Sequence, residues 1–364
     1  MAKSFWRCSA IIGLAALSMQ LFPGEASAQA TFTGKRIQVI VPFAPGGATD
    51  VAARFLEKFL ERHLDGNPDV EVVNRAGGGS ILGANWFQDN AKPDGETVLF
   101  TTSSTANPYV LGQKEVKYDL ASMRVAYSLP FGSVTYVSAA TGIKSVKDLK
   151  ETNTELIYGG IAAAASDLPT LLSFEVLDLN VRAVLGFTGR GPVRLAFDRG
   201  ETNLDFQFTP VYMTQVADQV ASGKVIPLMT GGYVGPDGKL TARDPAVPDI
   251  PTVYEVYKEL NGGNEPSGVE WDAYQAMGAL TLGYGLTAYL HKDTPDEIID
   301  LYAKAVERIN DDPEFLKEGK EVVGGYKLIS PKDAEKPLKA ALQPSEEVRQ
   351  YLRKLLSEKY GVTF

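Results

Sequence analysis

Two glycine-rich segments hold the residue types best suited to gripping a small anion. The first is Val41-Pro-Phe-Ala-Pro-Gly-Gly-Ala-Thr-Asp50, where a strand runs through two prolines and two glycines straight into a helix. Glycine lets backbone N–H groups approach a ligand closely. The start of a helix adds unpaired donors and partial positive charge, a ready seat for a carboxylate. The same Pro-Gly-Gly also suits an ordinary turn, and Asp50 reads as the helix cap rather than an acid–base residue. The second segment is Asn74-Arg-Ala-Gly-Gly-Gly-Ser-Ile-Leu-Gly83. Leu82 stands where a dinucleotide fingerprint needs its last glycine, and no Gly-Lys-Ser/Thr follows, so both nucleotide motifs fail. A turn packing a strand against a helix is the preferred reading.

Catalytic raw material is scarce. The chain has one cysteine and two histidines, Cys8, His63 and His291. A thiol nucleophile, a Ser–His triad and a His-based zinc site therefore have little to draw on. His63 reads as a surface or cap residue near a helix end, and His291 as a loop residue.

The first residues suggest export. Lys3 and Arg7 precede the apolar run Ala10–Leu17, and Ala26-Ser-Ala28 supplies a small-residue cleavage site, so residues 1–28 are expected to be a signal peptide. The run ends at Pro23-Gly24, short of the roughly 20 residues that span a bilayer. Removing Lys3, Arg7 and Glu25 takes the 36 basic and 45 acidic residues to 34 and 44, a formal charge of −10. That balance argues against a nucleic-acid partner, and an anionic ligand would need local dipoles to outweigh it.

The elements that must position these segments alternate short apolar strands with amphipathic helices, an α/β pattern with largely parallel sheets. Strand runs appear at Ile37–Val41, Val70–Val73 and Thr97–Phe100, the last leading into the loop Thr101–Asn107. Further strands are expected at Leu156–Tyr158, Val181–Leu185 and Leu204–Phe208, with a helix from near Pro169 to Leu177. Residues 231–268 look like an irregular excursion holding one short helix, Thr252–Leu260. Thr294-Pro-Asp-Glu297 reads as a capping box and Ser345–Lys359 as the C-terminal helix. The length exceeds one comfortable core. The chain builds one α/β unit, crosses near Val125–Ala140 to a second, and returns, leaving a crevice of the kind that binds ligands.

Val-Pro-Phe-x-Pro-Gly-Gly-x-Thr-Asp at 41–50, followed by Asn74-Arg-x-Gly77, resembles the tripartite tricarboxylate transporter receptors, the Bug/TctC-like periplasmic binding proteins. Pro93-Asp-Gly95, Thr102-Ser-Ser-Thr-x-Asn107, Pro248-Asp-Ile-Pro-Thr252 with Glu255, and Thr294-Pro295 match further family segments in order. The resemblance implies a type II periplasmic-binding-protein (Venus-flytrap) fold of two α/β lobes joined by crossover strands. The first lobe would hold residues 29–126 and 281–364, the second 127–280. It implies a non-catalytic, monomeric periplasmic receptor that binds a small organic carboxylate and passes it to a membrane permease, with no metal or cofactor. A ligand sensor for a signalling partner, or an exported enzyme on the same fold, are the alternatives.

Carried onto this chain, the family's contacts fall on Phe43, Pro45, Gly46, Gly47 and Thr49, then Ser103, Ser104 and Asn107. From the second lobe they fall on Gly160, the turn holding Ala162, Ala164, Ala165 and Ser166, and on Phe187 and Thr188. This chain departs from the family pattern at Gly159–Pro169, where alanines replace polar residues, which points to a mono- or aromatic carboxylate rather than a citrate-like triacid. Arg190, beside Gly189 and Gly191, reads either as a solvated turn residue or as a partner for a second ligand carboxylate. The aromatics Tyr109, Tyr158, Phe187 and Tyr212 are expected mainly to pack, with one or two stacking on the ligand.

Overall fold

The computed structural model describes Met1, residues 30–235 and residues 237–364, so the expected signal peptide lies outside the described residues. The chain first builds β1 (Arg36–Val41), α1 (Ala48–His63), β2 (Asp69–Asn74), α2 (Ile81–Asn90), β3 (Thr97–Thr102), α3 (Ser103–Leu111) and β4 (Arg124–Leu129). It crosses at Pro130–Gly132 into β5 (Ser133–Ser138), β6 (Leu156–Gly159), α4 (Leu168–Val176), β7 (Val181–Val184), α5 (Arg190–Asp198), β8 (Leu204–Phe208), α6 (Thr209–Gln215), α7 (Ala217–Ala221) and β9 (Val225–Thr230). A hairpin, β10 (Tyr233–Val234) with β11 (Leu240–Ala242), is followed by α8 (Val253–Leu260) and α9 (Val269–Gly278). The chain returns through β12 (Leu286–Leu290) and ends with α10 (Asp296–Asp311), α11 (Pro313–Val322), α12 (Pro331–Leu342) and α13 (Glu346–Tyr360).

Two five-stranded sheets result, ordered β2-β1-β3-β12-β4 and β7-β6-β8-β5-β9. They are mixed rather than largely parallel. β12 runs antiparallel to β3 and β4, and β5 antiparallel to β8 and β9. The odd strand in each sheet is the one by which the chain enters from the other lobe. It arrives from the far end of the sheet, so its direction is reversed. Elsewhere βαβ steps give parallel neighbours, as in β1 beside β2 and β3.

Three expectations change at element ends. Thr101–Asn107 is not a loop: the Thr102 hydroxyl accepts the Ser104 amide at 3.2 Å and α3 starts at Ser103. The capping box at 294–297 does not form. Pro295 takes the cap position in extended backbone, leaving Thr294 one residue too early, with its buried hydroxyl unpartnered. The excursion is more ordered than expected, since it holds the β10–β11 hairpin besides α8, and α9 follows directly after it. The box of α8 is realised, Thr252 accepting the Glu255 amide while Glu255 accepts that of Thr252. α9 packs against α4 on one side and α12 and α13 on the other, and one apolar cluster runs from Ile40 and Leu99 through Leu171 and Tyr274 to Leu352.

His63 at the end of α1 does more than cap. Its Nε2 lies 2.7 Å from Asp312 Oδ2, where Arg62 also donates at 2.9 Å, while Asp312 Oδ1 accepts the Glu314 amide at the start of α11. Burial pushes the Asp312 carboxyl up, but His63, the Glu314 amide and Arg62 outweigh it and hold it at about 2. A carboxylate depressed on folding stabilises fully above its unfolded value near 4 and loses that stability as pH falls through its folded value. Wild type should therefore exceed Asp312→Asn by about 2 kcal/mol at pH 6, the gap closing between about pH 4 and pH 2. Urea unfolding across that range checks it; a gap that does not change with pH would refute the assignment.

Candidate functional site

The segment between β1 and α1 folds around a buried carboxylate. Two glycines at 46 and 47 leave no side chain at the cap position, so α1 starts at Ala48 with Gly47 as its cap. Asp50, expected as the cap, sits inside the first turn and is 2% exposed. Its Oδ2 reaches back to the Gly46 amide at 2.8 Å, its Oδ1 accepts from Asn74 Nδ2 at 2.9 Å, and Arg54 pairs with it at 3.2 Å. Burial alone would raise its pKa; the Gly46 amide, Asn74 and Arg54 prevail and hold it below the usual carboxylate range. The Gly46 amide is therefore engaged within the protein. Among the described residues, the amides of Gly47, Ala48 and Thr49 have no partner within the protein. Phe43 is half-buried and Pro45 exposed, and Asn74 also donates to the Phe43 carbonyl at 3.0 Å.

The glycine-rich turn after β2 locks this loop to α3. Gly83 packs so closely on Pro42 and the Arg75 carbonyl that a Cβ would overlap both. Ser80, a non-glycine residue with φ 93°, is buried; its hydroxyl accepts from Thr105 Oγ1 at 2.8 Å. Such strain persists only where the surroundings enforce it. The sequence reading missed Ser80, because a serine after three glycines carries no local signal for a left-handed backbone.

α3 then meets the second lobe. Asn107, fully buried, donates from Nδ2 to the carbonyls of Ala164 and Ala165, each at 3.2 Å, and its Oδ1 is left buried without a partner. Ser103 is buried and Ser104 half-buried beside it, neither hydroxyl engaged within the described residues.

The second-lobe turn repeats the device of the first. Asp167, 0% exposed just before α4, accepts the amides of Ile161 at 3.0 Å and Ala162 at 3.2 Å. Gly160 is committed on both sides: its amide bonds the Val184 carbonyl, its own carbonyl takes the Phe187 amide, and a Cβ would strike Leu185 and Asp167. The Gly160 and Ala162 amides are thus engaged within the protein. Ala164, Ala165 and Ser166 are half-buried, Phe187 half-buried and Thr188 exposed.

Arg190 fits neither sequence reading. Its side chain is 12% exposed and bridges Asp167, at 3.0 Å, and Asp205, with a further bond to the Phe206 carbonyl and its guanidinium 3.9 Å from the centre of the Phe206 ring. Tyr136 donates to Asp205 at 2.6 Å and Tyr158 to Asp167. Burial opposes the charge on Arg190, but Asp205 and Asp167 raise its pKa above the usual arginine value. Asp205 is pushed up by burial, since it shares that one cation with Asp167. The sequence hid this because both acids lie outside the arginine's own turn. Of the four aromatics, Tyr109, Tyr158 and Tyr212 are packed, and Phe187 alone stays near the turn in a half-exposed position.

Separate hydrogen bonds tie individual predicted contacts to their neighbours: Phe43 to Asn74, Ser104 to Ser80, Asn107 to Ala164 and Ala165, and Gly160 to Phe187. No hydrogen bond among the described residues joins the first loop directly to 160–188. A separate open cavity of about 1350 Å³ lies between the hairpin, α9, α12 and α13, lined by Tyr233, Trp271, Gln275, Tyr284 and Lys336 among others; no predicted contact lines it.

Comparison with known proteins places the fold. No family model matches the chain. BugT of Bordetella pertussis is 47% identical over 74 residues, a stretch covering 20% of this chain and 22% of BugT. The UPF0065 protein in the tcbD-tcbE intergenic region of Pseudomonas sp. strain P51 is 26% identical over 244 residues, 66% of this chain and 68% of that one. Among solved structures, a TctC solute-binding protein from Polaromonas superposes with a TM-score of 0.67 at 18% identity, covering 89% of this chain and 100% of that one. MatC from Rhodopseudomonas palustris with bound malate gives 0.55 at 20% identity over 87% and 98%, and an R. palustris protein with adipate gives 0.57 at 18% over 88% and 96%. The two mixed sheets thus form a two-lobed, type II periplasmic-binding-protein fold. In these stretches of sequence and in fold, the chain is thus similar to Bug, UPF0065 and TctC solute-binding proteins.

Proposed function

We propose that this chain is a non-catalytic periplasmic receptor that takes a small organic carboxylate into the cleft between its lobes and hands it to a membrane permease of the tripartite tricarboxylate type. The observation that carries the reading is the start of α1. There the amides of Gly47, Ala48 and Thr49 have no partner within the protein, at a helix end whose dipole favours an acid group. The hydroxyls of Thr49, Ser103, Ser104, Ser166 and Thr188 supply further donors. The two solved neighbours that carry malate and adipate support a carboxylate. Both acids beside the loops, Asp50 and Asp167, are engaged with backbone amides, so their job is to shape the loops rather than to move protons.

The same geometry favours a ligand of low charge. Arg190 is spent on Asp167 and Asp205, and none of the predicted contact residues carries positive charge. Asp50, held ionised, stands directly behind the first loop. A third or second carboxylate on the ligand would meet this field without a cation to match it. A ligand contacting both lobes favours the closed arrangement by its differential affinity.

Thermal and urea unfolding against mono-, di-, tri- and aromatic carboxylates tests the class. A cognate acid at 100 times its Kd should add about 2.7 kcal/mol, and Ser104→Ala should weaken it about three- to tenfold with little change in the unliganded protein. Tight citrate binding with no response to monocarboxylates would refute the low-charge reading; no response to any acid would refute the receptor reading. Arg190→Gln, which strands two buried carboxylates, should cost about 3–5 kcal/mol, whereas Arg182→Gln, from an exposed pair with Glu155, should cost under about 1 kcal/mol. An Arg190→Gln protein of unchanged stability that loses only dicarboxylate binding would show that Arg190 serves the ligand.

A further inference from the structure

At the crossover between the lobes lies a buried carboxylate that nothing above uses. Asp244, 1% exposed, follows β11 and forms no ion pair among the described residues. Its Oδ2 accepts two hydroxyl donors, Thr209 Oγ1 at 2.8 Å and the Tyr326 phenol at 2.7 Å, while its Oδ1 accepts the Ala246 amide at 2.9 Å. The two hydroxyls come from opposite lobes. Thr209 follows β8 of the second sheet directly, and its amide bonds the Gly132 carbonyl in the first crossover at 2.7 Å. Tyr326 stands on the strand-like segment whose Ile329 pairs with Ser128 of β4 in the first sheet. Both are buried, at 0% and 3% exposure.

The cluster rests on the crossover backbone itself. A Cβ on Gly132 would overlap Asp244 Oδ2, the Tyr326 oxygen and Thr209 Oγ1, so only glycine fits between β4 and β5. The second crossover is tied in at the same place, the Phe131 amide donating to the Leu282 carbonyl at 2.7 Å. Burial and the neighbouring carboxylate both push the Tyr326 phenol far up, so it remains a donor. A carboxylate taken out of water without a cation is costly unless its hydrogen bonds are complete. Moving one lobe against the other would pull one hydroxyl away and leave that charge under-satisfied.

We infer that Asp244 is a positioning residue that sets the angle between the lobes by bonding one hydroxyl from each. It touches no predicted ligand contact; its effect on affinity rests on the receptor reading, its effect on lobe angle does not. Asp244 belongs to the second lobe, so the Tyr326 bond is the one that crosses between lobes, while Thr209 and the Ala246 amide hold the carboxylate in place to receive it. Once the crossing bond is lost, the bound-competent arrangement becomes one of several, and apparent affinity falls by its occupied fraction.

The test places spin labels at Lys92→Cys and Glu201→Cys, one exposed site in each lobe, in a Cys8→Ser chain. The parent should give one inter-lobe distance. Tyr326→Phe and Asp244→Asn should each add a displaced population, Thr209→Val a smaller one, and the Thr209→Val/Tyr326→Phe double variant should match Tyr326→Phe alone. Affinity for the best carboxylate of the panel should drop about three- to tenfold in Tyr326→Phe and Asp244→Asn. Parent-like distances in variants that merely unfold at lower urea would overturn the inference, as would single effects that add. If no carboxylate binds even the parent, the receptor reading fails while the distances still decide the role of Asp244.

Discussion

A backbone loop that leads into a helix holds its shape here only because a carboxylate folds back beneath it. Asp50 secures the Gly46 amide ahead of α1, and Asp167 secures the Ile161 and Ala162 amides ahead of α4. The two loops lie in different lobes and differ in sequence, yet each is organised from behind by a nearly inaccessible acid. Orphan donors at helix starts need partners. Supplying some of them from within fixes which ones remain for anything else. In the second lobe the acid is itself anchored by Arg190, which ties together the turn, the start of α5 and β8.

That arrangement also shapes the field. A protein with a formal charge of −9 keeps its candidate anion-binding loops free of cationic side chains and sets the ionised Asp50 behind the first of them. Attraction must then come from oriented amides at short range, which bulk solvent and salt screen little compared with exposed charges. Long-range steering is absent from such a design; discrimination at contact takes its place.

Much of this was legible beforehand. The order of elements, the strand runs at 37–41 and 97–100, the short helix near 252–260 and the C-terminal helix all follow from periodicity and flanking residues. What escaped reading were long-range pairings. Arg190 looked like a turn residue because its acids lie 23 and 15 positions away. Asp50 reads as a cap because nothing in Pro-Gly-Gly-Ala-Thr-Asp says where the first helical residue falls, yet the cap lies three residues earlier, at Gly47. The reversed strands β5 and β12 are a property of the path between lobes, to which local composition is blind.

The alanine-rich turn at 161–166 meets α3 through carbonyl oxygens, and the first loop presents amide hydrogens. Main-chain groups are common to every amino acid, so point substitutions in these loops leave the groups themselves in place.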